Sequence, residues 1–107
     1  MSDDAIWLVD LINMELASLR TSMNNPKIKR ETFDKFSYSS WAVLETLKAI
    51  HDYPKYVDKF VIAEILEIQL DYYIRFSNRE KESCKKFAYA ADMIEELMKL
   101  TGGYIYD

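Results

Sequence analysis

Glycine and proline are scarce in this chain, with two of each in 107 residues. Hairpin-linked sheets depend on such turn residues, so almost any all-β fold is excluded, together with collagen and low-complexity linkers. A single cysteine, Cys84, cannot close an intrachain disulfide, which fits a reducing compartment. It falls on the apolar side of its helix and reads as a small core residue. A single histidine, His51, cannot supply the two Glu-x-x-His elements of a di-iron carboxylate bundle. Near the end of a helix, it reads as a partner of the negative end of the dipole. No Gly-rich phosphate loop, zinc-ligand spacing or Ser-His-Asp grouping can be assembled.

The start, Met-Ser-Asp-Asp, lacks the basic opening and apolar run of a secretory signal. The longest uncharged stretch, Phe36 to Leu44, is too short to cross a bilayer. Cations are also few: 14 Lys and Arg face 18 Asp and Glu, for a net charge of −4. The pI is near 5.0. A grip on phosphate backbones needs clustered cations. The two small clusters, Lys27-Lys29-Arg30 and Lys81-Lys85-Lys86, are not interleaved with base-stacking aromatics. These features point to a soluble cytoplasmic protein of bacterial or phage type that binds neither nucleic acid nor membrane.

What is present is apolar and helical. Half of the residues are apolar and 30% are charged, the balance of a globular chain. The length holds one domain, residues 1–107. Ala5, Leu8, Val9, Ile12, Leu16, Leu19 and Met23 recur at helical spacing after Ser2 and Asp3, either of which can cap. This gives a first helix over 3–23, ended by Asn24-Asn25-Pro26. The second spans 26–52, with a kink or break expected near Ser37–Ser40, because serine hydroxyls compete for the backbone.

Pro54 opens the third helix, 54–76. It is apolar on nearly all sides and is expected to be the element the others pack around. Ser77 and Glu80 fit a capping box for the fourth helix, 78–101, which Gly102-Gly103 would stop. A short aromatic tail, 104–107, remains and is expected to fold back onto the bundle. The fold class is all-α, an up-down four-helix bundle.

Two features carry chemistry. The first is an acidic strip on the third helix: Glu64, Glu67 and Asp71, with Arg75 one turn on. On the fourth helix, Asp92 and Glu95 are one turn apart. If the two helices are antiparallel neighbours, these carboxylates could face one another and hold Mg²⁺, with phosphate oxygens completing its shell. In these four residues the chain resembles the all-α nucleotide pyrophosphohydrolases, which carry an E-x-x-E on one bundle helix and an E-x-x-D on the next. Glu64-x-x-Glu67 matches the first half. Asp92-x-x-Glu95 gives the second in swapped order, and Ala63 stands where the family usually doubles its glutamate. The resemblance implies a Mg²⁺-dependent nucleotide hydrolase using Glu64, Glu67, Asp92 and Glu95. The plainer reading of the strip is a solvated face with an Asp71–Arg75 pair.

The second feature is tyrosine, of which there are eight, several beside acids. Examples are Asp52-Tyr53, Tyr56-Val57-Asp58, Asp71-Tyr72-Tyr73 and the run from Tyr104 to Asp107. Tyrosine brings large contact area with a polar tip, and neighbouring acids steer a basic partner. The reading favoured here is a small acidic protein-binding module, an inhibitor or immunity-type protein that neutralises a toxin or a nucleic-acid enzyme by steric and electrostatic blockade. Its contact residues would be Asp52, Tyr53, Tyr56, Asp58, Glu64, Glu67 and Asp71, with no catalytic residue and no cofactor. The remaining alternative is a structural homodimer.

Overall fold

The computed structural model describes residues 1–78 and 80–106. Four α-helices carry the chain: α1 (Asp3–Met23), α2 (Arg30–His51), α3 (Lys59–Phe76) and α4 (Lys85–Ile105), the last preceded by a 3₁₀ turn, Glu82–Cys84. No strand occurs among the described residues. The architecture is an all-α four-helix bundle.

Helix α1 begins as its sequence dictates. Ser2 is the N-cap, and its hydroxyl accepts from the Ala5 N–H at 3.1 Å. At the other end the Asn25 side chain accepts from the Lys27 N–H at 3.0 Å, forming an Asx turn. That turn spends the residues expected to open the second helix at 26, so α2 starts only at Arg30.

Pro54 does not open α3. The chain stays irregular until Asp58, whose carboxylate accepts from the Phe60 and Val61 N–H groups at 3.0 Å each. Val57 before the cap and Ile62 four residues after it are both buried in the same core cluster, the positions of a hydrophobic staple. The Val57 carbonyl also accepts from the Ser2 N–H at 2.9 Å, tying the start of α1 to the α2–α3 connection.

Three further expectations are corrected. α2 is continuous through Ser37–Ser40. Ser39 and Ser40 are buried beside Ala42 and Val43, so tertiary packing overrides the weak local propensity. Ser77 does not cap α4: it is the C-cap of α3, and its hydroxyl donates to the Ile74 carbonyl at 2.8 Å. Arg79, within the expected capping segment, lies outside the described residues, as does Asp107. Finally, α4 runs through both glycines to Ile105. Thr101 and Ile105 are buried, and Tyr104 packs edge-on against Trp7 with ring centroids 4.3 Å apart. This packing rewards continuing the helix, and no glycine adopts a positive φ. Tyr104 and Ile105 therefore form the last turn of α4, with Tyr106 as its C-cap.

α3 is not the central element. α4 packs most widely on α3 and next on α2, and α2 packs on α1, while α1 and α3 barely meet. The largest fully buried side chains come from all four helices: Leu8 and Ile12, Val43 and Thr46, Ile62 and Leu66, Ile94, Leu97 and Thr101. The Thr46 hydroxyl donates to the Ala42 carbonyl at 2.9 Å and meets the Gln69 side-chain amide, joining α2 to α3. Cys84 is half-buried at the N-cap of α4 and is not a core residue. His51 closes α2 and is exposed. No helix among the described residues is long and apolar enough to cross a membrane.

Candidate functional site

Two surfaces concentrate chemistry, and both involve α3. One side of the helix is committed to the core through Ile62, Ala63, Ile65, Leu66 and Tyr73. At 100° per residue, Glu64, Glu67 and Asp71 then fall within a sector of about 60° on the opposite side, and all three are exposed. Large apolar side chains share that outward face. Phe60 is 57% exposed, Ile68 62%, Tyr72 51% and Ile74 53%. The sequence pattern that read as a helix buried on nearly all sides is thus a helix with an uncovered apolar–acidic face. Asp71 pairs with Arg75 at 3.0 Å, but both side chains are about 70% exposed. Such a pair contributes little, roughly 0.3–0.5 kcal/mol.

The other residues expected to bind a partner divide. Asp52 and Tyr56 are exposed in the connection between α2 and α3, with Tyr56 at 68%. Tyr53 is half-buried and packs against the core. Asp58 is occupied by its capping bonds, so its first role is to start α3.

The carboxylate set implied by the pyrophosphohydrolase resemblance does not assemble. Asp92 and Glu95 line a groove with Glu15, Lys35, Phe36 and Ser39, on the α1–α2 side of α4. Glu64 and Glu67 look outward from α3. The residues of α3 that approach α4 are apolar: Ala63 and Leu66 share a small cavity with Met98 and Ile105. Among the described residues no group of three or more His, Cys, Asp or Glu side chains could hold a metal ion.

The second surface was not legible in the sequence. Trp41 of α2, Tyr72, Tyr73 and Phe76 of α3, and Phe87 of α4 form one aromatic cluster. Trp41 lies 5.4 Å from Tyr73 and 6.1 Å from Phe87, nearly perpendicular to the latter at 76°. Tyr72 meets Phe87 at 73°. Edge-to-face pairs of this kind suit the ring quadrupoles. The cluster walls a groove of about 420 Å³, into which Glu45 and Lys86 also reach. The Lys86 ammonium stands 4.9 Å from the Trp41 ring and 5.0 Å from the Phe87 ring, a cation–π position on both. Burial, then the Glu45 carboxylate and Tyr72, push the Tyr73 phenol up to about 12. The signal available in the sequence was that Trp41, Tyr72, Tyr73, Phe76 and Phe87 sit on three different helices. Only the packing of those helices brings them together.

A third groove lies between the starts of α2 and α4, lined by Arg30, Glu31, Asp34, Tyr38, Glu82, Lys85 and Tyr89. Lys85 bonds Glu82 at 2.7 Å, and that bond raises the lysine's pKa. The lining mixes both signs of charge, so no single ligand charge is selected.

Comparison with family models, with curated proteins and with solved structures finds no match for the chain.

Proposed function

We propose that this protein is a binding module that holds another protein, one with a basic surface, against the outward face of α3. The observation that carries this reading is the uncovered combination on that face: Phe60, Ile68 and Tyr72 exposed among Glu64, Glu67 and Asp71. Apolar area of this kind supplies affinity when covered, and the acids select and steer a cationic partner. Tyr56 and Asp52, in the connection that leads into α3, are also exposed. Blockade of a partner's basic cleft is the corresponding mode of action, as in an inhibitor or immunity-type protein that neutralises a toxin or a nucleic-acid enzyme.

The test compares immobilised wild-type protein with Glu64→Lys/Glu67→Lys and with Phe60→Ser/Tyr72→Ser in capture from a cell extract. A basic protein held by the wild type, released by salt and lost from both variants supports the reading. Equal capture by all three refutes it.

A homodimer would use the same exposed apolar side chains. Sedimentation equilibrium separates the two: a doubled mass that returns to the monomer in Phe60→Ser/Tyr72→Ser favours self-association. The Mg²⁺ hydrolase has no comparable support, because Glu64 and Glu67 lie apart from Asp92 and Glu95.

A further inference from the structure

The aromatic groove between α2, α3 and α4 has a chemistry of its own. Cation–π attraction requires a positive group within about 6 Å of a ring centroid, and it strengthens when more than one ring face is offered. Trp41 and Phe87 stand nearly perpendicular and offer two walls. Tyr72 and Tyr73 continue the lining, and Glu45 places a carboxylate in the same groove. An ammonium is already held there, that of Lys86, at close to 5 Å from both walls. Lys86 is tethered through a flexible four-carbon stem at the surface end of α4, so it can leave without disturbing the core.

We infer that this groove is a receptor for an organic ammonium group, a quaternary or alkylated amine, with Lys86 as the built-in occupant that the ligand displaces. The walls contribute ring faces, Glu45 contributes the counter-charge, and the displaced lysine moves into water, where its ammonium is well solvated. A neutral group of the same shape would gain only the apolar contact. The groove shares Ile68 and Tyr72 with the edge of the α3 face, and Glu64→Lys/Glu67→Lys, which leaves the groove lining intact, separates the two readings: it should lose protein capture and keep ammonium binding.

The experiment titrates full-length protein with choline and with its neutral isostere 3,3-dimethylbutanol at constant ionic strength. Binding is followed by the indole N–H resonance of Trp41, with Trp7→Phe used to assign it. Saturable choline binding is expected, tighter by about three- to tenfold in Lys86→Met and weaker by a similar factor in Glu45→Gln. The isostere should bind at least several-fold more weakly than choline. Trp41→Leu should abolish binding as read by isothermal titration calorimetry, with circular dichroism confirming that it folds. Glu45→Gln, at a partly exposed position, provides the same information if Trp41→Leu does not fold.

A second arm uses a short peptide containing trimethyllysine. Tighter binding of the peptide assigns the groove to a protein side chain, and tighter binding of choline assigns it to a free amine; either supports the inference. Equal affinity for choline and its neutral isostere would overturn it, as would the absence of saturable binding in Lys86→Met.

Discussion

Ser40 offers the sharpest test of the packing argument. Its side chain is buried within α2 at 6% exposure, and its hydroxyl has no hydrogen-bond partner among the described residues. A helical serine ordinarily returns its proton to the carbonyl four residues back, and this one does not. Burying an unpaired hydroxyl costs about 1–3 kcal/mol, and alanine is a better helix former than serine by about 0.5 kcal/mol. The void left by removing one oxygen offsets a few tenths of this. Ser40→Ala should therefore stabilise the protein by about 1–3 kcal/mol, raising Tm by about 4–13 °C. Urea unfolding followed by far-UV circular dichroism is the assay; the midpoint should rise with an unchanged slope. Thr46→Ala is the matched control. It lies six residues further along α2, is fully buried, and donates to Ala42 while meeting Gln69, so its loss should destabilise by about 1–3 kcal/mol. A Ser40→Ala protein that is unchanged or weaker would refute the reasoning, because its hydroxyl must then be satisfied in solution.

Three further outcomes are expected. Tyr73, held near pKa 12 against an ordinary 10.0, keeps its proton in the folded state over a range where the unfolded chain loses it. Stability should thus be full below pH 10 and fall as pH rises toward 12, and Tyr73→Phe should remove that part of the decline in pH-dependent unfolding. Gly102 lies inside α4, and a Cβ built there meets nothing within 4 Å. Gly102→Ala should then stabilise by about 0.5–1 kcal/mol in the same urea assay, and a loss would mean that the last turn of α4 is not helical in solution. Asp58→Ala removes the cap of α3 and should cost about 1 kcal/mol, while Asp58→Asn should keep most of it. Equal losses in the two Asp58 variants would point to charge in place of the capping bonds.

The existence, number and order of the helices were legible because each carries a long apolar repeat at helical period, as from Ala5 to Leu19. Their ends were less so. Pro54 and Gly102-Gly103 are strong local punctuation, yet α3 waits for the carboxylate of Asp58, and α4 passes through its glycines because Ile105 and Tyr104 have places to pack. The serines of α2 gave the same lesson, since burial beside Ala42 and Val43 outweighs their preference for other backbone shapes.

The acidic strip was readable as a helical face, being a matter of spacing within one segment. The division of Asp92 and Glu95 from Glu64 and Glu67 was not, because it depends on which side of α4 meets α3. An apolar pattern likewise states which residues are greasy and not which of them find cover, so Phe60 and Ile68 look like core until the neighbours are placed. The aromatic groove, assembled from three helices, is a wholly tertiary object.

The grip on α1 has a dynamic consequence. This helix leans chiefly on α2 and scarcely touches α3, while the aromatic cluster clasps the other three helices together. Amide protons of α1 should accordingly exchange first when the native state breathes, in a partial opening that bares Leu8, Ile12 and Leu16 while the remaining helices stay assembled. The hydrogen bond from Ser2 to Val57 and the contact between Trp7 and Tyr104 are the latches on that door.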